Sequence, residues 1–189
     1  MISIAHIKEL HKAYLALFPE ERERIDIFTR YLDVTPEGQQ FSRKNFTGHI
    51  TASAFIINNE NEILLLRHKA LQRWLQPGGH VEEDGNLLTA ALREAVEETG
   101  IAVDALTVVN VHADQYVPFD IDPHYIPANP RKDEAGHYHH DVRYLFRYTG
   151  QRELVFNEEE ASGLKWVRFD ELTTDDTFGK IIEKICRFI

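Results

Sequence analysis

A single cysteine, Cys186, stands in a chain of 189 residues, so no internal disulfide can form and a reducing, cytoplasmic setting is the expectation. Long apolar runs are missing too. Nothing approaches the roughly 20 residues that a membrane-spanning helix needs, and the opening MISIAHIKELHK carries charge and histidine where a signal peptide has an apolar block. Positive charge is scarce: 21 Lys and Arg stand against 31 Asp and Glu, a net charge of −10. That balance argues against holding long nucleic acid or an anionic membrane surface by bulk electrostatics. Repeats and low-complexity blocks are also lacking. What is present is 43% hydrophobic content, enough at this length for one substantial core.

The most informative stretch is Gly79 to Ile101, GHVEEDGNLLTAALREAVEETGI. From Leu87 to Thr99 there is no Gly or Pro, and Ala, Leu, Arg and Glu dominate, so a helix is predicted there, with Gly100 as its stop. Glu94, Glu97 and Glu98 then share one face at i, i+3 and i, i+4, while Leu88, Ala91, Leu92 and Ala95 cover another. On a solvated face such a cluster means little. In a partly desolvated cleft, two carboxylates about 5 Å apart repel by roughly 3 kcal/mol at an effective dielectric near 20, and a bound dication offsets that repulsion. Oxygen ligands of this kind suit Mg²⁺ or Mn²⁺, and the glycine turn ahead of them suits a diphosphate.

With Pro77, Gly78, Gly79, Arg93, Glu94, Glu97, Glu98, Gly100 and Ile101 in place, the stretch resembles the box of the Nudix hydrolase family, GX5EX7REUXEEXGU with U aliphatic. Two positions depart from it: Gly85 replaces the first Glu, and Ala95 is small for the aliphatic position. Glu82, Glu83 and Asp84 lie just upstream and are candidate substitutes for the lost carboxylate. The resemblance implies an α/β fold, an α/β/α sandwich around a mixed sheet. It also implies Mg²⁺- or Mn²⁺-dependent hydrolysis of a small-molecule diphosphate. Metal ligands would be Glu94, Glu97, Glu98 and the Gly79 carbonyl, with Arg93 orienting the carboxylates. The base would be Glu94 or a member of Glu158 to Glu160, with Glu159 the middle of that run, and Glu98 would join Glu94 and Glu159 as a catalytic residue.

Outside the box, Ile4, Ile7, Leu10, Tyr14, Leu15 and Phe18 recur at helical spacing, and Pro19 with Glu20 and Glu21 reads as the start of a second helix. Residues 1–40 are therefore expected as a helical extension, capping the sheet or contributing a homodimer contact, and 41–189 as the hydrolase domain. Strands are expected over His49 to Asn58, Glu62 to His68, Leu106 to His112, Val142 to Tyr148, Glu153 to Phe156 and Leu164 to Phe169. A closing helix, Phe178 to Phe188, places Cys186 on its apolar stripe as a core thiol.

Asp120 to Asp141 is rich in Asp, His and Pro and reads as a long polar insert between strands. If residues 137 to 147 are extended, His137, His139, Asp141 and Arg143 line one face, which suits either a zinc site on His137, His139 and Asp141 or contacts to substrate. Arg67, Arg73, His139 and Arg143 are the candidate substrate-binding residues. Three functions remain open: a metal-dependent hydrolase of diphosphate linkages, a ligand sensor on the same fold that has lost turnover through Gly85, and a zinc hydrolase centred on His137, His139 and Asp141.

Overall fold

A computed structural model describes residues 2–69, 71–130, 133–150, 154 and 161–189. Helix α1 (Ile4–Leu17) starts where the Ser3 hydroxyl accepts a hydrogen bond from the His6 amide at 3.1 Å. Pro19 opens only a short 3₁₀ turn, Pro19–Glu21, and the second helix, α2, spans Asp26–Val34. Proline at the first position is compatible with either kind of helix. The chain uses the single turn to change direction.

Eight strands follow: β1 (Gly48–Ile57), β2 (Glu62–His68), β3 (Arg73–Leu75), β4 (Gly78–His80), β5 (Leu106–Val108), β6 (Asp120–Ile126), β7 (His137–Tyr148) and β8 (Ala161–Arg168). Strand β1 is buried along its whole length. It runs parallel to β7 through ten paired positions, from Gly48 opposite Tyr138 to Ile57 opposite Arg147, and antiparallel to β4 and β2 on its other side. Strands β6 and β5 share the far side of β7, and β8 pairs with β2. The sheet is therefore mixed, as expected.

Alternation along β1 sends Ile50, Ala52, Ala54 and Ile56 into one apolar cluster and Phe55 and Ile57 into another. Helix α3 (Leu87–Thr99) packs on the first through Ala90, Ala91 and Ala95, together with Tyr14 of α1 and Phe28 and Tyr31 of α2. The short α4 (Phe169–Leu172) and α5 (Gly179–Ile185) cover the second. This is the α/β/α sandwich. The helices of residues 1–40 and strands of 41–189 fill one common cluster, and buried Gln40 ties them: its Nε2 donates to the Ile2 carbonyl at 2.7 Å and its own carbonyl accepts from the Ile50 amide at 2.8 Å.

Four expectations change. Asp120–Ile126, read as part of a loop, is strand β6; its polar residues Asp120, Asp122 and His124 lie opposite Arg143, Asp141 and His139 of β7, so it is a strand with a charged inner face. Strand β7 begins five residues earlier than the run Val142 to Tyr148, because the histidine segment joins it. Strand β5 is only three residues long. Cys186 is exposed, because the buried stripe of α5 runs through Ile181, Ile182, Lys184 and Ile185 instead. The strand expected over Glu153 to Phe156 lies, but for Leu154, outside the described residues.

Candidate active site

Helix α3 has the ends expected of it: the Asn86 side chain accepts a hydrogen bond from the Thr89 amide at 2.8 Å, and Gly100 closes the helix in the left-handed region at φ 66°. Beside β1 in the sheet runs β4, where Gly78 and Gly79 pair with Ser53 and Ala52. A Cβ on Gly78 would lie 2.2 Å from the Ser53 Cβ, and one on Gly79 would lie 2.6 Å from Glu94 Oε1. Only glycine lets the strand pass so close to both. Glu98, 4% exposed, accepts a hydrogen bond from the Gly78 amide at 2.8 Å.

Arg93 joins the remaining pieces. Its Nε and Nη2 donate to the two Asp84 oxygens at 3.2 and 3.1 Å, and Nη2 also reaches the His80 carbonyl at 2.9 Å. Its Nη1 donates to Glu94 at 2.9 Å and to Glu97 at 3.0 Å. Asp84 also accepts the Glu82 amide at 3.0 Å. Burial alone would raise the Asp84 carboxyl, but Arg93 and that amide outweigh it and hold the group below the usual carboxylate range. Its bonds to Asp84, more than burial, set the direction for Arg93, which is held above its ordinary value. Asp84 thus holds Arg93 from the position just before Gly85, where a Cβ would meet open space.

A family model described as the NUDIX domain matches residues 47–185, which contain this whole arrangement. The chain belongs to the Nudix family. Among curated relatives, a probable DHNTP pyrophosphohydrolase of Lactococcus lactis is 31% identical over 102 residues, 54% of this chain and 55% of that one. An RNA pyrophosphohydrolase of Dinoroseobacter shibae is 40% identical over 57 residues, 30% of this chain and 35% of that one. These matches therefore span about a third to a half of the relatives' own length. Among solved structures, a Nudix-family hydrolase of Clostridium perfringens superposes with a TM-score of 0.55 at 23% identity, covering 72% of this chain and 97% of that one. A C. elegans Ap4A hydrolase complex gives 0.54 at 21% identity, with 74% and 96% covered. Those two likenesses show the Nudix fold.

The other face of β1 and β7 in this Nudix chain is polar at its open end. His49, Thr51 and Ser53 stand opposite His139, Asp141 and Arg143, which in turn stand opposite His124, Asp122 and Asp120 of β6. His80 joins from β4, opposite Thr51. Arg143 donates to Asp141 at 2.9 Å, Asp122 at 2.6 Å and Asp120 at 3.3 Å. Arg143, a candidate substrate contact in the sequence, is thus cross-linked to three carboxylates of β6 and β7. The set His137, His139 and Asp141 is not what the fold gathers. Asp141 accepts from Thr51 at 3.1 Å and Ser53 at 2.7 Å as well as from Arg143, and His137 Nδ1 turns to the Ala135 carbonyl at 2.8 Å. The trio whose ligand atoms lie within 4.8 Å of one another, among the described residues, is His49, His80 and His139. His49 and His80 escaped the sequence reading because each is a lone histidine in its segment.

Burial and then the neighbouring rings, His80 and His137 among them, push the His49 imidazole down to about 4. The same causes, burial followed by His49, push His139 down to about 2. Both are neutral at physiological pH. Arg67 and Arg73 are exposed on β2 and β3, Arg67 donating to the Gln72 side chain at 3.3 Å. Glu159 lies outside the described residues.

The oxygen donors Glu94, Glu97 and Glu98, grouped about a glycine strand whose Gly79 position has no room for a Cβ beside the Glu94 carboxylate, have the chemistry that Mg²⁺ or Mn²⁺ takes.

Proposed function

We propose that this protein is a Mg²⁺- or Mn²⁺-dependent pyrophosphohydrolase that cleaves the diphosphate linkage of a nucleoside diphosphate derivative or related small molecule in the cytoplasm. One observation carries the reading: Glu94 and Glu98 close on the Gly78–Gly79 strand, with Arg93 fixing Glu94 from behind. Glu94, Glu97, Glu98 and the Gly79 carbonyl would hold the metal, which supplies charge neutralisation of the diphosphate. Glu94 or Glu98 takes a proton from a water whose oxygen bonds to phosphorus in line; the bridging P–O bond breaks and its electron pair leaves with the departing phosphate. Arg67 and Arg73, exposed and cationic, are the proposed partners of the substrate's phosphate oxygens.

Asp84 favours turnover over a ligand sensor, because it restores the carboxylate that anchors Arg93. The test is formation of the two phosphorylated products, separated by chromatography, from a panel of sugar nucleotides, ADP-ribose, dinucleoside polyphosphates and oxidised nucleotides, with Mg²⁺ and with EDTA. Glu98→Gln keeps the hydrogen bond from Gly78 through its amide oxygen, so the fold persists while kcat falls by a factor on the order of 10² or more. Activity that survives Glu98→Gln unchanged refutes the assignment.

A further inference from the structure

Half of the ten histidines of the chain, His49, His80, His124, His137 and His139, gather on the face of the sheet turned away from α3. We propose that His49, His80 and His139 form a second, all-nitrogen site for a divalent transition ion of the zinc class. It is separate from the carboxylate site and does not rest on the hydrolase reading.

The ladder itself sets the spacing. His49 and His139 are directly opposite on the parallel pair of β1 and β7, and His80 comes from β4 on the other side of β1. Three adjacent strands are rigid supports, so little ordering is left for an ion to impose. The Nε2 atoms of His49 and His80 stand 3.1 Å apart. Two imidazole nitrogens at about 2.1 Å from one ion are separated by roughly 3.0–3.4 Å at angles between square and tetrahedral, so this pair already stands at ligand distance. The His139 ring centroid is 4.5 Å from that of His49 and 5.5 Å from that of His80.

The surroundings select the ion. No carboxylate belongs to the trio; the nearest in register, Asp141, is engaged by Thr51, Ser53 and Arg143. Imidazole donors without oxygen suit Zn²⁺, Co²⁺, Ni²⁺ or Cu²⁺ and not Mg²⁺. His137 stacks on His49 with ring centroids 5.0 Å apart and shields one side of the site. Three protein ligands leave a fourth position for water or a ligand oxygen, as in zinc sites that do chemistry. Alternation along β4 puts this centre and the diphosphate site on opposite faces of one three-residue strand: Gly79 turns to Glu94, His80 to His49.

The experiment uses the full chain, stripped with EDTA and titrated with Co²⁺, then competed with Zn²⁺ and with excess Mg²⁺. Expected are one equivalent of Co²⁺ with visible d–d bands, displaced by Zn²⁺ but not by Mg²⁺ and retained in the Glu94→Gln, Glu98→Gln double variant. His80→Asn and His139→Asn should each weaken binding by about 100-fold or more, since even outer partners of a ligand are worth 10- to 100-fold. His80 is only half-buried, so its replacement leaves the core intact, and thermal melts check both variants. Cu²⁺ bound to unmodified protein should show nitrogen superhyperfine splitting by EPR, a readout that needs no variant. Absent d–d bands, binding that survives both histidine changes, or binding lost with the two glutamates would overturn the site. Adenosine saturating the cluster while Co²⁺ does not bind would identify a base-stacking pocket instead.

Discussion

Replacing Asp84 by Ala tests whether a carboxylate one position early has taken over from Gly85. Asp84 is 6% exposed and Arg93 24%, so the pair is partly desolvated, and two charge-assisted hydrogen bonds and one from the Glu82 amide disappear together. Each such bond contributes about 1.5–3 kcal/mol. Arg93 keeps the His80 carbonyl, Glu94 and Glu97, so the net loss should stay near 2–3 kcal/mol, below the 3–5 kcal/mol of stranding a fully buried charge. For a chain of this size that lowers Tm by about 4–12 °C. The larger effect is on the site: with one side of its guanidinium released, Arg93 no longer fixes Glu94, and kcat/KM for Mg²⁺-dependent hydrolysis of the diphosphate linkage should fall about 10- to 100-fold. Gly85→Glu added to Asp84→Ala should restore part of both, because nothing lies within 4 Å of a Cβ there. Asp84→Ala with kcat/KM within twofold of the parent protein and an unchanged Tm would refute the reasoning.

Gly79→Ala forces the Glu94 carboxylate away from a Cβ that would sit 2.6–2.7 Å from its atoms; a displacement approaching 1 Å should cost about 10²-fold in kcat, with Mg²⁺ affinity falling alongside it in a metal titration. Asp120 predicts a pH dependence. Burial alone would raise its carboxyl, but Lys184, Arg143 and Arg24 together hold it below the ordinary range. A depressed folded-state value stabilises the fold at pH above the unfolded value of about 3.9 and ceases to do so as pH falls through the lower folded value. Asp120→Asn should therefore lose about 3 kcal/mol at neutral pH and show a flatter Tm profile than the parent protein below about pH 4, read by circular dichroism. Lys184→Met removes the opposing charge under the rings of Phe18 and Tyr14, and urea unfolding should report a loss of about 2–4 kcal/mol.

Box and helix were legible in the sequence because their signals are local: Asn86 as cap, Gly100 as stop and three glutamates one turn apart all lie within 15 residues. The glycine pair was legible for the same reason, though its cause, the Ser53 Cβ and Glu94 carboxylate on either side, is tertiary. Strand β6 was not legible. Its Asp-x-Asp-x-His alternation has the period of a strand, but the face that would normally be apolar meets Arg143 and a histidine row, and polarity reads as loop. The histidine trio failed for a related reason, since register between β1 and β7 joins residues 90 apart. Cys186 misled because spacing alone does not tell that the stem of Lys184 fills the buried position beside it.

Lys184 also ties α5 to distant parts of the fold. Its ammonium donates to the Tyr14 hydroxyl at 2.9 Å, across 170 residues of chain, and to Glu21 at 2.6 Å and Asp120 at 3.2 Å. Tyr14 and Asp120 are both almost wholly buried, and Asp120 also accepts from Arg24 and Arg143, so Lys184 brings a third cation to one buried carboxylate. The contact joins α1, β6 and α5, which are far apart in sequence and lie on two different apolar clusters, so it couples the opening of one to the other: amide exchange in α1 and α5 should rise together when Lys184 is replaced.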